Sequence, residues 1–136
     1  MALDDEQFKS LAAFRYALRH FSAASERISR AGGITQQQYQ ALLAIKTWPG
    51  GTMSMKDLAE QLLLTHHAAV QLVDRLGKAG LAERTPSQSD RRSVVLSLTM
   101  TGESLLEGLA EEHLAEVLRQ EPLLARSLKR LRRMGG

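Results

Sequence analysis

The sequence predicts a mainly α-helical fold that contains one small β-hairpin. Three patterns support this prediction: paired polar residues at helix starts, an apolar stripe with helical spacing, and one short region where strand-forming residues flank a polar turn. The chain has 136 residues, of which 43% are hydrophobic and 24% charged, and this suits one globular domain with its own core.

Three predicted helix starts carry the same capping chemistry. In a capping box, the first side chain accepts a hydrogen bond from a first-turn amide, and a side chain three residues later accepts one from the cap's own amide. The pairs with this spacing are Asp4 with Gln7, Thr35 with Gln38, and Ser54 with Asp57. We therefore expect helices that begin near residues 5, 36 and 55.

Glycine and proline predict where the elements end. The first helix is expected to stop before Gly32-Gly33, the second before Trp48-Pro49-Gly50-Gly51, and the fourth at Gly80. The predicted order is helices over residues 5–30, 36–47 and 55–63, a helix after Thr65, strands over 81–85 and 93–98, and helices over 103–120 and 122–133. Pro122 suits the first turn of a last helix. Two short helices followed by a hairpin have the outline of a winged helix-turn-helix.

The fourth helix has an apolar and a polar face. An apolar stripe with spacing i, i+3, i+4 and i+7 predicts the buried side, formed by Ala69, Leu72, Val73 and Leu76. The opposite face carries His67, Gln71, Asp74 and Lys78, flanked by Val70 and Arg75. A solvated surface helix shows the same division, but here a capped short helix precedes it and a basic hairpin follows.

The polar face suits the major groove of DNA. The amide of Gln71 can pair in bidentate fashion with adenine, and Val70 can contact a thymine methyl group. The imidazoles of His66 and His67 can donate to base edges or phosphates, whereas Arg75 is better placed for the phosphate backbone.

The hairpin tip has the sequence Ser89-Asp90-Arg91-Arg92-Ser93. Arginines on a narrow ribbon can enter the minor groove, where the negative potential favours a guanidinium group. Asp90 can hold Arg92 in place through a charge-assisted pair. The alternative is a solvated turn whose arginines form weak surface ion pairs.

Taken together, these segments resemble the MarR family of transcriptional regulators. The matching parts are residues 34–42, 55–62, 72–81 and 89–99, the last with an Asp-x-Arg tip and closed by Thr101-Gly102. The resemblance implies a homodimer, in which residues 1–33 and 103–136 form a helical dimerisation region and residues 34–102 form a winged DNA-binding lobe. The apolar C-terminal positions Leu123, Leu124, Leu128 and Leu131 suit docking in that region.

The resemblance also assigns roles to individual residues. Val70 and Gln71 match positions at which the family's recognition helix reads bases. Thr65, His66 and His67 match its N-terminal end, Arg75 a phosphate contact, and Arg92 the wing-tip arginine supported by Asp90. This helix carries His-His-Ala-Ala-Val-Gln, whereas many members have a Ser/Thr/Arg set, so no operator sequence can be transferred.

The family commonly senses small phenolic or aromatic effectors, or oxidants, in a crevice between the dimerisation helices and the winged lobe. The candidate crevice residues are Arg15, Tyr16, Arg19, His20, Tyr39 and Trp48. Aromatic residues at helical spacing are more often part of a core, and paired arginines are more often surface charges. Because the chain has no cysteine, cysteine-based peroxide sensing is excluded.

Other classes of function have little support in the sequence. The four histidines form no helical His-x-x-x-His pair, so we expect no metal site, and we expect no cofactor. No catalytic motif points to an enzyme. The acidic N-terminus and the lack of an apolar run of ~20 residues predict a cytoplasmic protein without membrane contact.

The sequence therefore predicts a sequence-specific regulator of transcription that binds double-stranded DNA. In its specific form this is a ligand-responsive repressor that binds a pseudo-palindromic operator as a homodimer. One alternative is a winged-helix module for protein–protein interaction that has no specific DNA binding. Another is a small-molecule-binding protein that has lost its DNA-binding role.

Overall fold

The computed structural model of the chain describes residues 2–87 and 93–135. It has the predicted mainly helical fold with one antiparallel hairpin. In chain order the elements are α1 (Asp5–Ala31), α2 (Gln36–Thr47), a 3-10 turn (Pro49–Gly51), α3 (Met55–Gln61), α4 (His66–Lys78), β1 (Ala82–Pro86), β2 (Val94–Leu98) and α5 (Met100–Gly135).

All three predicted capping boxes form. Each cap side chain accepts from the amide three residues later, and the later side chain accepts from the cap's amide. The two distances are 2.8 and 2.9 Å for Asp4 with Gln7, 3.0 and 2.8 Å for Thr35 with Gln38, and 3.1 and 2.9 Å for Ser54 with Asp57. Because these bonds are local, the helix starts could be predicted from residue spacing alone.

The chain divides into two compact units. The first consists of Met1–Ile28 together with Glu111–Gly136, and the second of Ser29–Ala110. The first unit therefore combines most of α1 with the C-terminal part of α5. The second contains α2, α3, α4, the hairpin and the start of α5.

In the second unit, the hairpin joins the helices through its backbone. β1 and β2 pair in antiparallel register, with Ala82 opposite Leu98 and Pro86 opposite Val94. On its other side β2 bonds to the segment before α3, because the Leu96 amide donates to the Met53 carbonyl over 2.9 Å. The largest fully buried apolar side chains are Leu42, Met53, Leu58, Leu76 and Leu96. The hairpin is thus attached to the helical core through β2.

In the first unit, α1 and α5 share buried and exposed polar contacts. The buried Ser25 hydroxyl and His113 Nε2 are joined by a hydrogen bond of 3.0 Å. Near the other end of this unit, Arg130 Nη2 donates to Glu6 Oε2 over 3.2 Å. Among the described residues, no helix combines the length and apolarity that a membrane crossing requires.

The prediction of two C-terminal helices is wrong. Residues 103–120 and 122–133 belong to one continuous helix, α5, with Pro122 in its interior. Proline removes one helical hydrogen bond at a cost of about 3 kcal/mol, but the flanking residues are strong helix formers such as leucine, alanine and arginine. The Pro122 carbonyl accepts a bond from Arg126 Nε over 3.2 Å, one turn later. The local proline signal was therefore overridden by the helix-forming residues around it.

Candidate functional site

The turn between α3 and α4 sets the start of α4. Leu63 has a positive φ of 56°, and the Leu64 amide bonds back to the Ala59 carbonyl over 2.8 Å, which ends α3 in a left-handed cap. Thr65 then caps α4, because its hydroxyl accepts from the Ala68 amide over 3.1 Å. Two short helices joined by this tight turn form the helix-turn-helix.

The two faces of α4 match the sequence-based expectation. The stripe of Ala69, Leu72, Val73 and Leu76 is buried. Most predicted reading residues are exposed, namely Thr65, His66, His67, Gln71 and Arg75, whereas Val70 is half-buried. The apolar stripe therefore fixes the rotation of α4 in the unit and leaves a row of hydrogen-bonding groups facing outward.

The C-terminal end of α4 leads directly into the hairpin. Gly80 has a φ of 72°, as predicted for a left-handed cap, and the Leu81 amide bonds to the Leu76 carbonyl over 2.9 Å. β1 begins at Ala82, so one short turn connects the C-terminal end of α4 to the hairpin.

One ion pair across this connection was missed by the sequence analysis. Arg84 on β1 donates from Nη2 to Asp74 Oδ1 on α4. The partners are ten residues apart on different elements, so neither helical spacing nor strand alternation indicates the contact. The only available signal was an acidic residue on the polar face of α4 and a basic residue on the following strand.

The predicted wing-tip residues Asp90, Arg91 and Arg92 lie outside the described residues. The structure gives the strands on either side of them, β1 and β2, and the Ser87 amide bonds to the Ser93 carbonyl over 3.0 Å.

The six predicted effector residues belong to different compact units. Arg15, Tyr16, Arg19 and His20 are exposed on α1 in the first unit, where the rings of Tyr16 and His20 pack edge to face at 4.4 Å. In the second unit Tyr39 is buried in the core, which raises the pKa of its phenol, and Trp48 is half-buried after α2.

An open groove of about 570 Å³ lies between α2 and α5 inside the second unit. It is lined by Leu43, Met100 and Leu106, and the Lys46–Glu103 ion pair, with a nitrogen–oxygen distance of 3.2 Å, lies along it. None of the six predicted effector residues lines this groove. In residues 2–87 and 93–135, no three histidine or carboxylate side chains cluster as metal ligands would.

Comparisons with known proteins agree on one family. The family model described as "MarR family" matches residues 32–93. The HTH-type transcriptional regulator FarR of Neisseria gonorrhoeae is 35% identical over 97 residues, which is 67% of this chain and 65% of that relative. The crystal structure of AbsC, a MarR family transcriptional regulator from Streptomyces coelicolor, superimposes with a TM-score of 0.80 at 25% identity, covering 88% of this chain and 81% of AbsC. The chain belongs to the MarR family.

A further structure supports the same MarR fold. Sco3205, a MarR family transcriptional regulator from Streptomyces coelicolor, was solved in complex with DNA. It superimposes with a TM-score of 0.80 at 24% identity, and the match covers 98% of this chain and 88% of Sco3205. The chain matches only part of the length of its curated relatives. The matched stretch covers 65% of FarR, and it covers 47% and 49% of two further regulators, both from Bacillus subtilis.

Proposed function

We propose that this MarR family chain is a transcriptional regulator that binds double-stranded DNA. The observation that carries the proposal is the orientation of α4. Its buried stripe turns Gln71, His67 and Arg75 outward, on a capped helix that follows a tight turn and precedes a hairpin. A helix of this kind fits the major groove, with its N-terminal residues at base edges. Among structural relatives, Sco3205 is described in complex with DNA.

The side chains on α4 divide by chemistry into base-reading and phosphate-binding groups. Gln71 supplies an amide for adenine, and Val70, which is half-buried, presents its outer methyl groups to thymine. Thr65, His66 and His67 lie at the N-terminal end, where backbone amides and imidazoles can bind phosphate or base edges. Arg75 binds the backbone. Arg91 and Arg92 are proposed for the minor groove, with Asp90 holding Arg92 in place, on chemical grounds alone.

The protein is proposed to act as a homodimer through its first unit. Isolated proteins rarely leave a row of large apolar side chains exposed. The first unit exposes such a row on each helix: Leu3, Phe8, Leu11 and Leu18 on or before α1, and Leu114, Val117, Leu118 and Leu128 on α5. Leu11 and Leu18 are seven residues apart, and Leu114, Val117 and Leu118 have i, i+3, i+4 spacing, as expected for helices that pack against a partner. A second copy of the chain is the proposed partner.

A two-fold dimer presents two α4 helices, so its DNA site is expected to be a pseudo-palindrome with half-sites about one helical turn apart. We further propose that the dimer represses transcription in the cytoplasm and responds to a small aromatic or phenolic effector. Arg15, Tyr16, Arg19, His20, Tyr39 and Trp48 are the proposed effector residues.

Selection of bound duplexes from random DNA, followed by titration of the selected duplex at several salt concentrations, tests the proposal. We expect enrichment of a pseudo-palindrome and an affinity that falls linearly on a log–log plot of binding constant against salt. Chromatography with light scattering should give the mass of two chains. No enrichment, or binding that is independent of salt, would contradict DNA binding and would favour the alternative protein–protein interaction module.

A further inference from the structure

The exposed face of α4 carries an acidic residue in the middle of its DNA-reading groups. Asp74 lies one turn after Gln71 and one turn before Lys78. A bare carboxylate there faces the phosphates when α4 enters the groove, and juxtaposed like charges cost binding energy. A DNA-binding helix therefore needs some means of offsetting this charge.

Arg84 provides an opposite charge in contact with Asp74. Its guanidinium donates from Nη2 to Asp74 Oδ1, and both side chains stay partly in solvent, with 39% of Arg84 and 53% of Asp74 exposed. The pair is therefore close enough to the surface to influence an approaching polyanion. One amino group of the Arg84 guanidinium is therefore bonded to the Asp74 carboxylate.

The same contact connects α4 to β1, the strand that leads into the hairpin turn. An open groove of about 460 Å³ lies between α4 and β1 and is lined by Val73, Gly77 and Ala82 as well as by the ion pair. The Asp74–Arg84 pair lies along this groove and connects α4 with β1. Arg84 is on the strand that leads from α4 to the hairpin turn.

From these observations we propose that Asp74 and Arg84 are positioning residues for DNA binding. Arg84 neutralises Asp74 on the reading face and holds β1 at a fixed position beside α4, without itself binding phosphate. This inference rests on the proposed DNA-binding function and adds two residues to it.

A double-mutant cycle on the selected duplex separates this role from a direct phosphate contact. The variants are Arg84→Ala, Asp74→Asn and the double variant, measured by titration at several salt concentrations. Arg84→Ala exposes the carboxylate, so we expect about tenfold weaker binding at the lowest salt concentration, where the repulsion between Asp74 and the phosphates is least screened. In the Asp74→Asn background the same substitution should cost less than about threefold.

The controls separate structural damage from loss of positioning. Thermal unfolding of each variant reports folding. Lys46→Ala removes another exposed ion pair of the same unit, between α2 and α5, and should change DNA affinity by less than about twofold.

The possible results lead to different conclusions. A loss for Arg84→Ala that is equal in both backgrounds would overturn the positioning role in favour of a direct phosphate contact. Failure of the wild-type protein to bind any duplex would overturn the proposed function and this inference with it.

Discussion

The hydroxyl of Thr99 donates to the carbonyl of Gly80 over 2.6 Å and so joins the end of α4 to the start of α5. The same oxygen accepts from the Gly102 amide over 2.9 Å, which caps α5, and the Thr99 amide donates to the Leu81 carbonyl over 3.1 Å. One residue thus connects the candidate recognition helix to the helix that continues into the first unit.

Replacing Thr99 by valine keeps the side-chain shape and removes both hydroxyl bonds. We expect the free energy of unfolding to fall by about 1–2 kcal/mol, since a helix cap and a second hydrogen bond are lost. Thr99→Ser retains the hydroxyl and should lose less than half as much. Urea denaturation of the three proteins checks this. Equal stability of the valine and serine variants would show that the cap contributes nothing measurable.

Gly102 and Gly108 provide a matched pair of substitutions in α5. A Cβ at Gly102 would lie 2.0 Å from the Leu81 carbonyl oxygen, whereas a Cβ at Gly108 would meet nothing within 4 Å. We expect Gly102→Ala to destabilise by about 2–4 kcal/mol because the backbone must move. Gly108→Ala should stabilise by about 0.5–1 kcal/mol through helix propensity. If calorimetry gave both variants the same melting temperature, the close approach at Gly102 would be refuted.

Leu63 is a leucine in the left-handed region, with a φ of 56° and 92% of its surface exposed. The left-handed conformation is unfavourable for leucine, and the exposed side chain gains little from burial. Leu63→Gly should therefore raise the free energy of unfolding by about 0.5–1 kcal/mol. The neighbouring Leu62 has a φ of −97°, so Leu62→Gly should destabilise instead. Denaturant titrations that gave both variants the same sign of change would argue against this backbone geometry.

Burial raises the pKa of Tyr39 above its ordinary value of 10.0. The folded state therefore holds the phenolic proton more tightly than the unfolded state does. This contribution to stability is fully present below pH 10 and is lost as the pH rises through the folded-state pKa. The wild-type protein should lose stability above pH 10 more steeply than Tyr39→Phe, in which this group is missing. Denaturant midpoints measured from pH 8 to 11 compare the slopes, and parallel curves would contradict the burial of the phenol.

Local features of the fold could be predicted from the sequence, because their causes lie within a few residues. The capping boxes at Thr35 and Ser54 and the left-handed Gly80 are examples, since each depends on neighbouring amides or on one backbone angle. The rotation of α4 was also predictable, because the helical period fixes which side chains share a face.

Contacts between elements could not be predicted from the sequence. The Asp74–Arg84 pair depends on where β1 lies beside α4, and this position is set by the packing of the whole unit. The continuous α5 depends on helix-forming flanks that outweigh Pro122. Predictions for effector binding combined residues of both compact units by family resemblance, so they remain proposals.

Titration of the selected duplex with Gln71→Ala tests the central claim, that the exposed face of α4 reads DNA, most directly. Removing a bidentate base contact should weaken binding to that duplex by about 10–100-fold and leave binding to random duplex within about twofold. The matched control is Gln40→Ala, which removes an exposed glutamine from α2 and should leave both affinities unchanged. The account would be contradicted if Gln71→Ala bound the selected duplex as tightly as the wild-type protein does.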